Sequence, residues 1–247
     1  MISLARTVNR FLRRRGVIIR RSRFPLPRKR DVDPEELRLL ASTVDRFVSE
    51  HGDEGATRRK SLEEYLTFTR LAFYHNVIAL CREAGVEFDN RDVADIGTGF
   101  GYLCRLIRRE SPTARIFGFD LSSERLKFAR ALCEDGTYQV RELMQMDGSF
   151  DVVFLTEVLE HLPEPEEALQ KLLSLIRFDG WVVLTVPNGR EDNVLNHINF
   201  WSPESWRHFI ELNIGPEFQP TFGQVRNGNN FVAIRRVAGD TAANAPA

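Results

Sequence analysis

The stretch Val93-Ala94-Asp95-Ile96-Gly97-Thr98-Gly99-Phe100-Gly101 most constrains what this chain can fold into. Three apolar residues around one acid read as a buried strand. Three glycines at alternate positions then let the backbone turn tightly and let a ligand approach, because no Cβ stands in the way. Tyr102 to Ile107 follow as an amphipathic helix whose N-terminus faces that ligand. Arg115-Ile116-Phe117-Gly118-Phe119-Asp120 is a second short apolar strand ending in an acid. That acid falls where a nucleotide-binding βαβ unit places the carboxylate that grips ribose hydroxyls.

The spacing of the turn is G-x-G-x-G rather than the G-x-G-x-x-G of dinucleotide enzymes, and Asp95 stands two residues before its first glycine. A pyrophosphate would be repelled there, which argues against a nicotinamide oxidoreductase. A ligand carrying a sulfonium and an amino group would be attracted.

Downstream the chain alternates by period. The expected elements are a strand over 92–96, a helix over 101–110, a strand over 114–119, a helix over 122–134, strands over 138–141 and 150–155, a helix over 164–177 and a strand over 180–186. Alternation of this kind predicts a parallel sheet with crossover helices. Ser202-Pro203-Glu204 starts another helix, and residues 218–237 read as a hairpin around Asn227-Gly228-Asn229-Asn230. Upstream, helices are expected from Glu35 to about Glu50 and from about Ser61 to Ala84, with Gly85 closing the second.

The segments D-I-G-T-G-F-G, F-D-L-S, S-F-D-V-V-F-L-T-E-V-L-E-H-L and G-W-V-V-L-T-V-P-N occur in that order between Asp92 and Asn188. Together they resemble the class I S-adenosylmethionine-dependent methyltransferases. The resemblance implies an α/β fold with a Rossmann-like, doubly wound seven-stranded sheet, an antiparallel C-terminal hairpin and an N-terminal helical lid. It implies S-adenosylmethionine as cofactor, held by Asp95, Gly97, Thr98, Gly99, Gly101, Asp120 and Leu121, with Glu142 near the adenine. Tyr65, Phe68, Tyr74 and His75 are candidates for the lid's inner face. An aromatic stripe at helical spacing is more often plain packing.

Thr156-Glu157-Val158-Leu159-Glu160-His161 follows the fourth strand, at the carboxyl edge where doubly wound sheets bind ligands. If these residues form a helical turn, Glu157, Glu160 and His161 share one face. Two carboxylates and an imidazole there could hold a divalent cation, with His197 as a fourth ligand. The E-x-x-E-H pattern is similar to that of metal-assisted O-methyltransferases, including ubiquinone-pathway enzymes and small-RNA 2′-O-methyltransferases. The alternatives are a metal-free site with His161 as general base beside Glu157, and a purely structural Glu-His pair.

Charge bears on partners. The first 30 residues hold ten Arg, one Lys and no acid, whereas the remainder is acidic enough to bring the whole chain to −1. Residues 1–22 place Ile2, Leu4, Val8, Phe11 and Leu12 among arginines, the pattern of an amphipathic helix lying on an anionic membrane. RNA phosphates, a cleavable presequence and a solvated arm are the rival readings. An acidic body argues against a long nucleic acid across it. No apolar run reaches the ~20 residues of a membrane span. Cys81, Cys104 and Cys133 are too few for a disulfide frame and suit a reducing compartment.

The expectation is therefore four parts: arm and linker 1–30, helical lid 31–90, methyltransferase core 91–237 and a disordered tail 238–247. The expected protein is a cytoplasmic enzyme, peripheral on the inner membrane face through its arm. It would methylate a hydroxyl of a small-molecule, sugar or lipid-linked (glycolipid) acceptor. An RNA methyltransferase and a non-catalytic adenosylmethionine-binding protein are the alternatives.

Overall fold

The structure, a computed structural model, describes residues 34–225 and 228–237. The basic arm and the C-terminal tail lie outside the described residues. Helix α1 runs Pro34–Tyr65 and α2 Phe68–Ala84. Strand β1 (Asp92–Ile96), α3 (Tyr102–Glu110), β2 (Arg115–Asp120), α4 (Ser123–Leu132) and β3 (Thr137–Val140) follow. Next come β4 (Phe150–Thr156), α5 (Pro165–Ser174), β5 (Ile176–Val186), α6 (Pro203–Asn213), β6 (Phe218–Gln224) and β7 (Asn230–Arg236).

The strands form one seven-stranded sheet in the order β3-β2-β1-β4-β5-β7-β6. The first five are parallel, and β7 pairs antiparallel with both β5 and β6. The doubly wound sheet and its antiparallel hairpin are as the sequence predicts. The order reverses between β1 and β4, and such a switch point opens a crevice at the carboxyl ends of the strands. Every predicted site residue from Asp95 to Glu160 lies in the last two residues of a strand at that edge or follows one.

The N-terminal helices differ from the sequence reading in two places. The first helix does end at His51-Gly52, where Gly52 takes a φ of 54° and a ψ of −131° that are open to glycine, but the chain is helical again directly afterwards and on to Tyr65, rather than from about Ser61, so α1 is two helices across a kink. The second predicted helix, 61–84, is divided at Leu66-Thr67. Thr67 is extended and its hydroxyl accepts from the Arg70 amide, so a new helix starts there. Gly85 ends it in the left-handed conformation, as expected.

These helices pack into the core. Leu40, Val44, Phe47, Leu62 and Leu71 share one buried cluster with Leu103, Leu106 and Phe128 of α3 and α4. A buried polar clamp fastens them further. Glu36 of α1 accepts from the Tyr102 hydroxyl at 2.8 Å and pairs with Arg109, while His75 of α2 lies 3.7 Å from it. Burial alone would raise the Glu36 pKa. Hydrogen bonds from His75 and Tyr102 and the Arg109 charge win, and hold it at about 2.

Candidate active site

The glycine turn closes on Asp120. Asp120 Oδ2 accepts from the Gly99 amide at 2.9 Å and Oδ1 from the Ser122 amide at 2.8 Å. The carboxylate is thereby oriented at the end of β2 with lone pairs to spare. Asp95 is buried beneath the turn. Its Oδ2 accepts from Thr98 Oγ1 at 2.7 Å and from Cys104 Sγ at 3.6 Å, while Oδ1 has no partner among the described residues. Burial pushes Asp95 up to about 6 against those two bonds, and the Asp120 charge adds to the rise.

The three glycines have different duties. A Cβ on Gly97 would lie 2.6 Å from Val158 Cγ2, so this glycine lets the loop after β4 touch the turn. A Cβ on Gly99 would project toward Tyr65, 3.7 Å away. A Cβ on Gly101 would strike Ala129 at 2.7 Å and 2.9 Å, so this glycine seats α3 against α4. The sequence suggests a tight turn and ligand approach for all three, and the structure adds helix packing at Gly101. All three have positive φ.

Tyr65, at the end of α1, leans over the turn. Its hydroxyl lies 3.1 Å from that of Tyr74, and its ring meets Phe100 edge-on at 4.9 Å. His75 is turned away into the Glu36 clamp, and the Phe68 side chain lies outside the described residues. At the same strand edge Leu121 is 73% exposed, and Val140 and Met144 are exposed beside it. Val140 pairs with Asp120 across β2 and β3. Glu142 is exposed and accepts from Gln145 Nε2.

A cleft of about 580 Å³ opens on the other side of Val158, between the ends of β4, β5 and β7. Glu157, Glu160, His161 and His197 line it with Arg70, Asp192 and Asn229. The turn after β4 is a single 3-10 turn, Leu159–His161, and Glu157 stands before it with φ 54°. The helical face expected to align Glu157 with Glu160 and His161 does not form. Glu157 Oε2 is instead held by the Asn229 amide, and its Oε1 is buried without a partner among the described residues. Burial raises the Glu157 pKa.

Glu160, His161 and His197 do converge, one ligand atom of each lying within 4.8 Å of the others. Both imidazole Nε2 atoms stand 3.9 Å from Glu160 Oε1. Glu160 is buried, and its Oε2 has no partner among the described residues. Burial first, then the charges of Glu157 and Asp192, push Glu160 up to about 8. The Glu160 carbonyl accepts from the amides of Ile198 and Asn199, which pins the loop carrying His197 to the turn carrying Glu160.

Three residues of this cleft went unseen in the sequence. Arg70 lies 29 positions before Gly99 and reaches the cleft only because the helix restarts at Thr67. Asn229 arrives on the C-terminal hairpin. Asp192 sits in a polar loop with no periodicity to mark it. No spacing signal links any of them to the motifs.

A doubly wound sheet with this strand order and an acid-ended β2 beside a glycine turn defines the Rossmann-like architecture of class I methyltransferases. The chain matches the methyltransferase-domain family over residues 59–213, and it belongs to that family. A ubiquinone biosynthesis O-methyltransferase of Albidiferax ferrireducens is 34% identical over 118 residues, 44% of each chain. That of Cronobacter sakazakii is 26% identical over 170 residues, 66% of this chain and 64% of the relative. The chain thus spans less than half the length of the first of these.

The plantazolicin methyltransferase BpumL, in complex with SAH, has the same fold, with a TM-score of 0.60 and 11% identity over 83% of this chain and 98% of its own. The magnesium protoporphyrin IX methyltransferase of Synechocystis, with bound SAM, gives 0.54 and 18% over 78% and 97%. The [4+2]-cyclase SpnF also fits, at 0.57 and 14% over 69% and 84%. The fold therefore does not by itself select the reaction. Among the described residues no helix is long and apolar enough to cross a membrane.

Proposed function

We propose that the protein transfers the methyl group of S-adenosylmethionine to a hydroxyl of a small-molecule acceptor in the cleft beside Val158. The observation that carries this reading is the contact of Gly97 with Val158. It sets the cofactor turn directly against the loop that bears Glu160 and His161.

The residues suit the cofactor. Asp120 presents free lone pairs to ribose hydroxyls. Leu121, Val140 and Met144 offer an apolar edge to a flat base, with Glu142 next to them. Asp95, buried with an unpartnered oxygen, suits a ligand with positive charge. Arg70 is the cation lining an otherwise acidic cleft, and it suits the carboxylate of the cofactor's methionine end.

The residues also suit a divalent cation, since Glu160 sets Oε1 3.9 Å from two imidazole nitrogens and keeps Oε2 buried without a partner among the described residues. Glu160, His161 and His197 would hold it, and it would supply Lewis-acid stabilisation of the acceptor oxygen. Glu157, tied to Asn229, borders that space without belonging to the group of three. The same His161 Nε2 is the general base if no cation binds. Four carboxylates line the cleft against one arginine, which disfavours an RNA backbone and favours a small acceptor. The names of the relatives support a hydroxyl acceptor. Residues 1–22 would hold the enzyme peripherally on the inner face of an anionic membrane, near a lipid-linked acceptor.

The test is full-length protein with labelled S-adenosylmethionine and a panel of catechols and lipid-linked hydroxyl compounds, with and without chelator. Methylated product that chelation abolishes is expected. Product that survives complete chelation moves the role to His161 as base. Failure to bind adenosylhomocysteine by calorimetry sinks the reading.

A further inference from the structure

The loop after β5 contains an arrangement that the acceptor reaction does not require and that coordination does. Asp192 Oδ2 lies 2.6 Å from His197 Nδ1. The Asn196 carbonyl lies 3.0 Å from His161 Nδ1. An ionised carboxylate and a carbonyl can only accept, so both Nδ1 atoms carry the hydrogen. In the neutral imidazoles both Nε2 atoms are then lone pairs. Each lies 3.9 Å from the same Glu160 oxygen, Oε1. The two rings stand edge-to-face with centroids 4.6 Å apart, which leaves their nitrogens converging rather than stacked. Two imidazole nitrogens and a carboxylate oxygen thus converge on one space, where a positive centre would draw all three.

The holding groups are themselves fixed. The Asp192 side chain is 3% exposed, and its Oδ1 accepts from the Val194 amide at 3.2 Å. The Asp192 amide donates to the Asn188 carbonyl, and the His197 amide to the Val194 carbonyl. The loop is thus closed on itself before any ligand arrives.

We infer that Asp192 and the Asn196 carbonyl are positioning groups for a two-histidine, one-carboxylate site that selects a first-row transition ion over Mg2+. The inference rests on the cation reading above and deepens it. Two imidazoles and one carboxylate favour Zn2+, Co2+ or Fe2+, whereas Mg2+ favours all-oxygen surroundings and keeps its water. A carboxylate behind a ligating histidine fixes its tautomer and raises its basicity, and loss of such a partner costs about 10–100-fold in ion affinity. Asp192 acts through His197 and touches neither acceptor nor cofactor in this account.

The experiment titrates full-length protein with Co2+, Zn2+ and Mg2+ by calorimetry, following the visible Co2+ spectrum, for wild type, Asp192→Asn and His197→Gln. Asn keeps an acceptor for the Val194 amide but removes the charge behind His197. We expect Co2+ and Zn2+ to bind wild type at least 100-fold more tightly than Mg2+. Asp192→Asn should weaken Co2+ by about 10–100-fold and shift the His197 ring 15N resonances away from a single tautomer. If that variant is destabilised without ion, Asp192→Glu decides. Partial recovery of Co2+ affinity supports the role, and none overturns it. Wild-type Co2+ affinity in Asp192→Asn overturns the positioning role while leaving the cation site standing. Mg2+ bound as tightly as Co2+ overturns the selectivity. No ion bound by wild type removes the underlying cation reading.

Discussion

Replacing Glu36 by Gln tests how the N-terminal helices are held against the glycine turn. Gln preserves the shape and an acceptor for the Tyr102 hydroxyl, and removes only the charge opposite Arg109. The Glu36 pKa is held at about 2 against an ordinary 4.5, a difference worth about 3 kcal/mol at 1.36 kcal/mol per unit. Arg109 is a third exposed, so solvent screens part of this, and about 2 kcal/mol is the working figure. For a carboxylate with a depressed pKa the stabilisation is complete above pH 4.5 and is lost as pH falls toward 2. Urea denaturation at pH 7 should therefore show Glu36→Gln about 2 kcal/mol less stable than wild type, with the thermal midpoint lower by about 4–8 °C. The gap between the two proteins should shrink steadily below pH 4.5. A gap that stays constant down to pH 2.5 would refute the charge argument and leave only packing.

Asp120→Ala should lose about 2–3 kcal/mol of adenosylhomocysteine affinity, some 30–150-fold, because a charged acceptor is stripped from the ligand; an unchanged dissociation constant by calorimetry sinks the assignment. Gly101→Ala should destabilise the fold by about 2 kcal/mol, since its Cβ meets Ala129 and its φ is +82°, and a chemical denaturation curve equal to wild type would show that α3 and α4 can part. A protein starting at Asp31 should bind adenosylhomocysteine normally yet no longer sediment with anionic vesicles, each lost base being worth about 1 kcal/mol at the surface. Full-length protein that ignores such vesicles at low salt ends that proposal.

Much of the fold was legible because its signals are local. The buried strand Val93–Ile96, the glycine turn and the serine caps at Ser122 and Ser202 each depend on neighbours within a few residues, and each lies where expected. The parallel order follows from alternation alone. Two boundaries differed for a local reason of another kind. The helix restarts directly after Gly52 rather than near Ser61, and Thr67 starts a new helix inside an apolar pattern that has no break.

The amino-acid sequence by itself determined the sheet, the acid-ended strands and the edge at which the acids and the glycine turn gather, because those follow from period, glycine conformation and chain order. Only the tertiary structure decided how the side chains at that edge are grouped. The positive φ at Glu157 removes it from the line of Glu160 and His161. Loop closure brings Asp192 behind His197, the hairpin delivers Asn229 to Glu157, and the restart at Thr67 carries Arg70 into the cleft. Apart from Asp192 and His197, five residues apart in one loop, these are contacts across tens of residues, set by where packed elements end, and no short-range pattern encodes them.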